Sequence, residues 1–228
     1  MSHSAPAGKR RKSLSERAYT ELKRRIFENE LTIGAQYMEH EVAELLNMSR
    51  TPVREAFNQL AREGLVEVRP RHGMQVKPIS LEDMREIYQV LTALESTAAA
   101  LAAEKKLSVE ETESLRKAVT DMDAALEHDD MDAWAKADVR FHCLLVELSG
   151  NKRLIEVVTT FINQSHRFRL LTLRLRPKPF DSNRDHHVVL EAIMQGDAET
   201  ARKAHRQHRE KSGRMLVSLV EQHGLSRI

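Results

Sequence analysis

The stretch MSRTPVREAFNQLAREGLVEV, residues 48–68, decides how the first third of the chain is read. Val53, Ala56, Phe57 and Leu60 recur at i, i+3, i+4 and i+7, the spacing of one buried helix face. Pro52 falls in the first turn, where its missing N–H costs nothing, and Ser49 stands in position to cap. Arg50, Thr51, Arg54 and Asn58 lie off the apolar face. Gly64 supplies the stop, and Leu65-Val66-Glu67-Val68 then alternates as a strand does. The helix therefore presents two guanidiniums and a hydroxyl at its exposed N-terminal end.

Upstream, Leu14, Ala18, Leu22 and Ile26 share a face, which predicts a helix beginning near Ser13. Leu31–Gly34 reads as a turn. A second short helix follows from about Glu39 to Leu46, with Val42, Leu45 and Leu46 inward and Asn47 closing it. Downstream, Pro70-Arg71-His72-Gly73 reads as a hairpin turn and Met74–Lys77 as the return strand. Short helix, turn, helix and hairpin form a winged helix-turn-helix. In that geometry the second helix enters the major groove by its N-terminal end. Arginine there grips guanine bidentately or anchors on phosphate.

Charge agrees with this placement. The 228 residues carry a net charge of only +2, but Lys and Arg outnumber Asp and Glu before residue 78, and the remainder is slightly acidic. KRRK, residues 9–12, belongs to an arm over residues 1–12 that reads as disordered and solvated, with phosphate contact as the sharper alternative. A single cysteine, Cys143, excludes a disulfide framework and suits a cytoplasmic protein. No apolar run approaches the roughly 18–20 residues of a membrane span, so no membrane partner is expected. Aromatics at 4% and only 8 glycines argue against an all-β fold.

After Pro78 the pattern is amphipathic helix throughout. Six helices are expected, at about 81–105, 108–128, 130–149, 151–176, 182–195 and 197–223, with Ser80, Ser108 and Asp197 as N-caps. The expected fold is mainly α: an arm (1–12), a winged helix-turn-helix (13–78) and an antiparallel helical bundle (79–228).

Within the bundle, Asp138 and His142 stand i, i+4 on one helix face. His186 continues the stripe of Val189 and Ile193. His208 continues that of Ala201, Ala204, Met215 and Leu219, whereas His205 is read as facing solvent with Arg202 and Arg209. Three imidazoles and one carboxylate suit Zn²⁺, Ni²⁺ or another divalent ion, with positions left for a ligand oxygen. A purely structural metal, or a metal-dependent hydrolase on the same cluster, is the competing reading; no separate carboxylate stands ready as a general base, which favours a non-enzyme. Of the arginines at 167, 169, 174 and 176, most are read as solvent-facing or paired. Asn163 and Arg167, one turn apart, are candidates for binding an anionic effector.

Two family resemblances rest on these motifs. The run YTELKRRIFENELTIGAQYMEHEVAELLNMSRTPVREAFNQLAREGLVEVRPRHGMQV resembles the winged helix-turn-helix of GntR-family bacterial transcription regulators, over roughly residues 13–77. SRTPVREAF and the L-x-x-x-GLV that follows are its specific part. The resemblance implies DNA contacts at Arg50, Thr51 and Arg54 and at the wing tip, Arg71, His72 and Gly73, with His40 where relatives often carry arginine. The D-x-x-x-H at Asp138, the SGN that follows and the histidines of the last two helices resemble the FCD ligand-binding domain of the FadR subfamily, in its shorter VanR-like branch. That implies a metal held by Asp138, His142, His186 and His208, and a small organic acid effector. It further implies a homodimer on two-fold operator DNA, and repression relieved by the effector. Apolar residues on the first and fourth bundle helices are candidate dimer seams. Leu91 occupies a slot that is often arginine in relatives, which predicts a missing cationic pocket wall.

Overall fold

Alternation of capping residues with apolar stripes fixes where this chain turns. A computed structural model describes residues 12–223, so the arm expected at 1–12 falls, except for Lys12, outside the described residues. The fold separates into two units between Lys77 and Pro78.

The first unit holds α1 (Leu14–Phe27), β1 (Gln36–Tyr37), α2 (Glu39–Leu45), α3 (Arg50–Arg62), β2 (Val66–Arg69) and β3 (Gly73–Val76). Ser13 caps α1 in a reciprocal box with Glu16. Ala18, Leu22 and Ile26 meet Val53, Ala56, Phe57 and Leu60 of α3 in one buried cluster with Leu65, Met74 and Val76. Burying a side chain such as Phe57 contributes about 1.5–3 kcal/mol, so this small unit depends on each of them. Polar links add to the α1–α3 seam, where Lys23 lies 3.0 Å from Glu63. The sheet runs β1-β3-β2, antiparallel throughout, with Val68 opposite Met74 and Tyr37 on the other side of Met74.

Two expectations are corrected here, and one short strand is added. Ser49 occupies the N-cap of α3, but its side chain makes no capping hydrogen bond. Leu45 and Leu14 are exposed rather than inward: each stands in a terminal turn beyond the core, Leu45 at the end of α2 and Leu14 at the start of α1. Between the Leu31–Gly34 turn and α2 lies β1, two residues long and too short to show alternation in the sequence.

The second unit is all helix: α4 (Leu81–Glu104), α5 (Val109–Glu127), α6 (Met131–Leu148), α7 (Lys152–Leu171), α8 (Phe180–Gln195) and α9 (Ala198–Gln222). Ser80 and Ser108 close capping boxes with Asp83 and Glu111, and Asp197 accepts from the backbone N–H of Thr200. Gly196, at φ +73°, ends α8 in the left-handed conformation that favours glycine. α4 packs along α9, and their pairs run in opposite sequence order: Arg85 with Glu221, Glu95 with Arg209, Thr97 with Arg202. The two helices are therefore antiparallel. α7 is shorter than expected: it ends at Leu171, and turns carry the chain to Pro177 and Pro179. A residue before proline disfavours the α region, so the helical pattern of 172–176 does not form helix.

Candidate functional site

Each unit presents one chemically distinctive arrangement. In the first, the buried face of α3 turns Arg50, Thr51, Arg54 and Asn58 outward, all exposed. Asn47, at φ +50°, closes α2 and sets the turn that delivers the N-terminus of α3. His40 is exposed on α2. Glu39 receives the Nε and Nη2 N–H groups of Arg54, each at 2.8 Å. That fork holds the Glu39 carboxyl below its ordinary range. At the wing, Arg71 and His72 are exposed while Gly73 is buried. A Cβ on Gly73 would stand 2.1 Å from the carbonyl oxygen of Tyr37, so glycine there lets β3 lie against β1. The side chain of Gln36 donates to the carbonyl of His72, tying the wing tip to the sheet edge.

In the second unit, four helices converge on His142. Its Nε2 lies 3.4 Å from His186 Nε2 and 3.7 Å from Asp138 Oδ1, and the latter is 3.6 Å from His186 Nε2. Its Nδ1 faces the other way, 2.9 Å from Glu95 Oε2 and 3.3 Å from His205 Nε2. His142, His186 and His208 can each offer a nitrogen so that all three donor atoms lie within 4.8 Å of one another; Glu95, His142 and His205 form a second such group. All of these residues are buried. His205 and Arg209 thus point inward, contrary to the solvent-facing reading. α9 buries Ala201, His205, His208, Arg209, Gly213, Leu216 and Val220, a stripe half defined by polar residues that hydrophobic periodicity does not detect.

Charge is balanced in pairs. Arg169 Nη1 donates to Asp138 Oδ2 at 2.6 Å. Arg209 grips Glu95 with two N–H groups, its Nε at 2.9 Å. Burial would raise both carboxyls, but the guanidiniums and imidazoles outweigh it and hold both below the ordinary range. Burial lowers His186 and His205 well below the usual histidine value and brings His208 to about 4. His186 and His208 are therefore neutral imidazoles and Asp138 an ionised carboxylate at neutral pH, the protonation states a metal ion needs. Nδ1 of His186 and of His208 is buried without a hydrogen-bond partner. Asp138, His142, His186 and His208 fit a divalent ion in donor chemistry and proximity.

Of the arginines after α7's midpoint, only Arg176 departs from the expectation of solvent-facing or paired side chains, Arg167 being read as inward. Arg167 and Arg169 are buried, Arg174 is exposed, and Arg176 is half-buried with its Nε and Nη2 shielded from solvent. Asn163 is half-buried. Leu91 lies in the apolar cluster with Met84, Tyr88 and Phe168. Two buried guanidiniums, Arg169 and Arg209, come from α7 and α9. Glu95 was not anticipated as a site residue. A lone carboxylate in the alanine-rich run ALESTAAALAA was its only trace in the sequence.

Comparison with known proteins places both arrangements. Residues 14–76 match the family model "Bacterial regulatory proteins, gntR family", and residues 86–211 match the FCD domain. An HTH-type transcriptional regulator from the TAR-I ttuE-ttuC' intergenic region of Agrobacterium vitis is 42% identical over 131 residues, 57% of this chain and 77% of its own length. A probable D-xylose utilization operon transcriptional repressor of Paenarthrobacter nicotinovorans is 31% identical over 192 residues, covering 80% of each chain. Among solved structures, Escherichia coli McbR/YncC superposes with a TM-score of 0.77 at 23% identity, over 93% of this chain and all of that one, a likeness of fold.

Proposed function

Because the chain belongs to the GntR family of bacterial regulatory proteins and is a DNA-binding transcriptional regulator with an FCD domain, we propose that it is a repressor released from its operator by a small organic acid. Arg50, Thr51 and Arg54 read base edges or phosphates from the N-terminus of α3, with His40 beside them and Arg71 and His72 in reach of the backbone from the wing. Gly73 serves by letting the wing close on β1. A two-fold operator calls for a homodimer, since each protein half reads one half-site.

The observation that carries the sensing role is the arrangement about His142. One ring nitrogen faces Asp138 and His186, with the His208 ring stacked 5.4 Å away centre to centre; the other is held by Glu95. A carboxylate on the far nitrogen fixes the ring and raises its basicity, the usual support for a metal-ligating histidine. We assign a divalent ion, zinc or nickel, to Asp138, His142, His186 and His208. When bound it supplies a Lewis-acidic anchor for an effector carboxylate. Arg167, with Asn163 one turn earlier on α7, is assigned to the effector-binding wall. Effector binding alters operator affinity only by favouring one of two arrangements of the DNA-binding units.

Genome-wide selection of duplex fragments on the purified chain, with elemental analysis of the same preparation, tests this reading. Enrichment of a two-fold motif and one equivalent of metal per chain are expected. No preference over random competitor would reject the DNA assignment, and His186→Ala/His208→Ala protein that keeps its metal would reject the metal site.

A further inference from the structure

Resting on that effector reading, we propose that the effector is a dicarboxylate, one carboxylate on the Nε–Nη2 edge of Arg169 and the other on that of Arg176. The only buried carboxylates among the described residues are Glu95 and Asp138, and each already has a guanidinium. Arg169 spends Nη1 on Asp138, which leaves its Nε and Nη2 buried and unpartnered. Arg176 has the same two atoms buried and unpartnered, and no carboxylate partner among the described residues. Nε and Nη2 form the edge that matches the two oxygens of a carboxylate in a fork.

We take the two edges as one site. Arg176 stands on the connection after α7, a few residues beyond Arg169, and is close enough to feel the charges of both Arg169 and Asp138. Its guanidinium lies 4.7 Å from the centre of the Trp134 ring, and Trp134 is itself fixed by an Nε1–H bond of 2.7 Å to Asn183. Two like charges with their Nε–Nη2 edges shielded from water favour an anion between them. Arg169, Arg176 and Arg209 against Asp138 and Glu95 leave a positive excess before any divalent ion adds to it. A monocarboxylate satisfies one fork and leaves the other dry; a dicarboxylate satisfies both. The connection is not part of a helix, so a ligand that ties Arg176 to Arg169 also fixes the segment leading into α8.

Calorimetric titration of the full-length, metal-loaded chain with malonate, succinate, glutarate and adipate, against acetate, propionate, butyrate and inorganic phosphate, tests the assignment. At least one dicarboxylate is expected to bind 30-fold or more tightly than any monocarboxylate. Arg176→Lys, which keeps the charge but loses the fork, is expected to weaken it tenfold or more with metal content unchanged; Arg176→Gln should do the same. Monocarboxylates or phosphate binding as tightly as the dicarboxylates, or Arg176→Lys binding like wild type, would overturn the inference while leaving the effector reading in place. If wild type binds none of these anions and none alters operator affinity, the effector reading itself falls.

Discussion

Glu39 at the start of α2 accepts both edge N–H groups of Arg54 on α3, each at 2.8 Å. The pair spans the turn between the two helices, and Arg54 remains largely exposed while Glu39 is mostly covered. In water such a pair is worth little to stability, about 0–1 kcal/mol. For the DNA contact proposed at Arg54 its consequence is orientational: the Nη1 side stays free and the side chain would be aimed before DNA arrives. Arg54→Ala is expected to remove specific operator binding while leaving the helical unit folded. Glu39→Gln is expected to lower the ratio of specific to non-specific affinity several-fold, because a negative charge is lost as the aim loosens. Competition gel shifts against random duplex measure both. A Glu39→Gln ratio equal to wild type would show that the pair does not aim the arginine.

Gly73 provides a test at the wing. Its φ of +72° and the 2.1 Å approach to the Tyr37 carbonyl leave no room for a Cβ against backbone atoms. Gly73→Ala is expected to separate β1 from β3 and to destabilise the first unit by about 1–3 kcal/mol. Non-specific DNA binding should fall less than specific binding, since Arg50 and Arg54 remain. Thermal unfolding with an unchanged midpoint would place the close approach elsewhere.

Glu95 and Arg209 are a buried pair whose partners lie 114 positions apart in sequence. Removing one side leaves the other charged and dry, which costs about 3–5 kcal/mol. Glu95→Gln should cost that much in urea unfolding. Joining it to Arg209→Met should recover more than half the loss, because replacing both partners removes the unpaired charge. A double variant no more stable than the single one would show that Glu95 acts through His142 and His205 instead of Arg209.

What the sequence disclosed, and what it hid, follows one physical line. Local signals were legible: Ser80, Ser108 and Asp197 cap where their spacing says, and the α3 stripe from Val53 to Leu60 is buried throughout. Asp138, His142 and His186 were legible because i+4 spacing and an apolar stripe both point inward. His205 and Arg209 were not, since their burial depends on Glu95, a partner only the tertiary fold supplies. Arg176 was hidden by a helical pattern that two prolines override.

Acid sensitivity of the metal-free protein follows from His208. Its folded value of about 4 lies below the ordinary 6.5. The unfolded chain therefore takes up a proton near pH 6.5 that the folded chain refuses, and stability present above pH 6.5 is lost as pH falls toward 4. At about 1.4 kcal/mol for each unit, His208 alone accounts for about 3 kcal/mol across that window and about 2 kcal/mol by pH 5. His186 and His205 are lowered in the same direction and steepen the slope. Asp138 and Glu95 are depressed too, so their contribution survives to lower pH and is lost only beneath that of the histidines. Urea unfolding of the chain in excess chelator at pH 7.5 and 5.0 measures the difference. A stability loss of at least 2 kcal/mol is expected, with a shallower slope in His208→Gln. Equal unfolding free energies at the two pH values would mean that these rings carry their protons in the folded state.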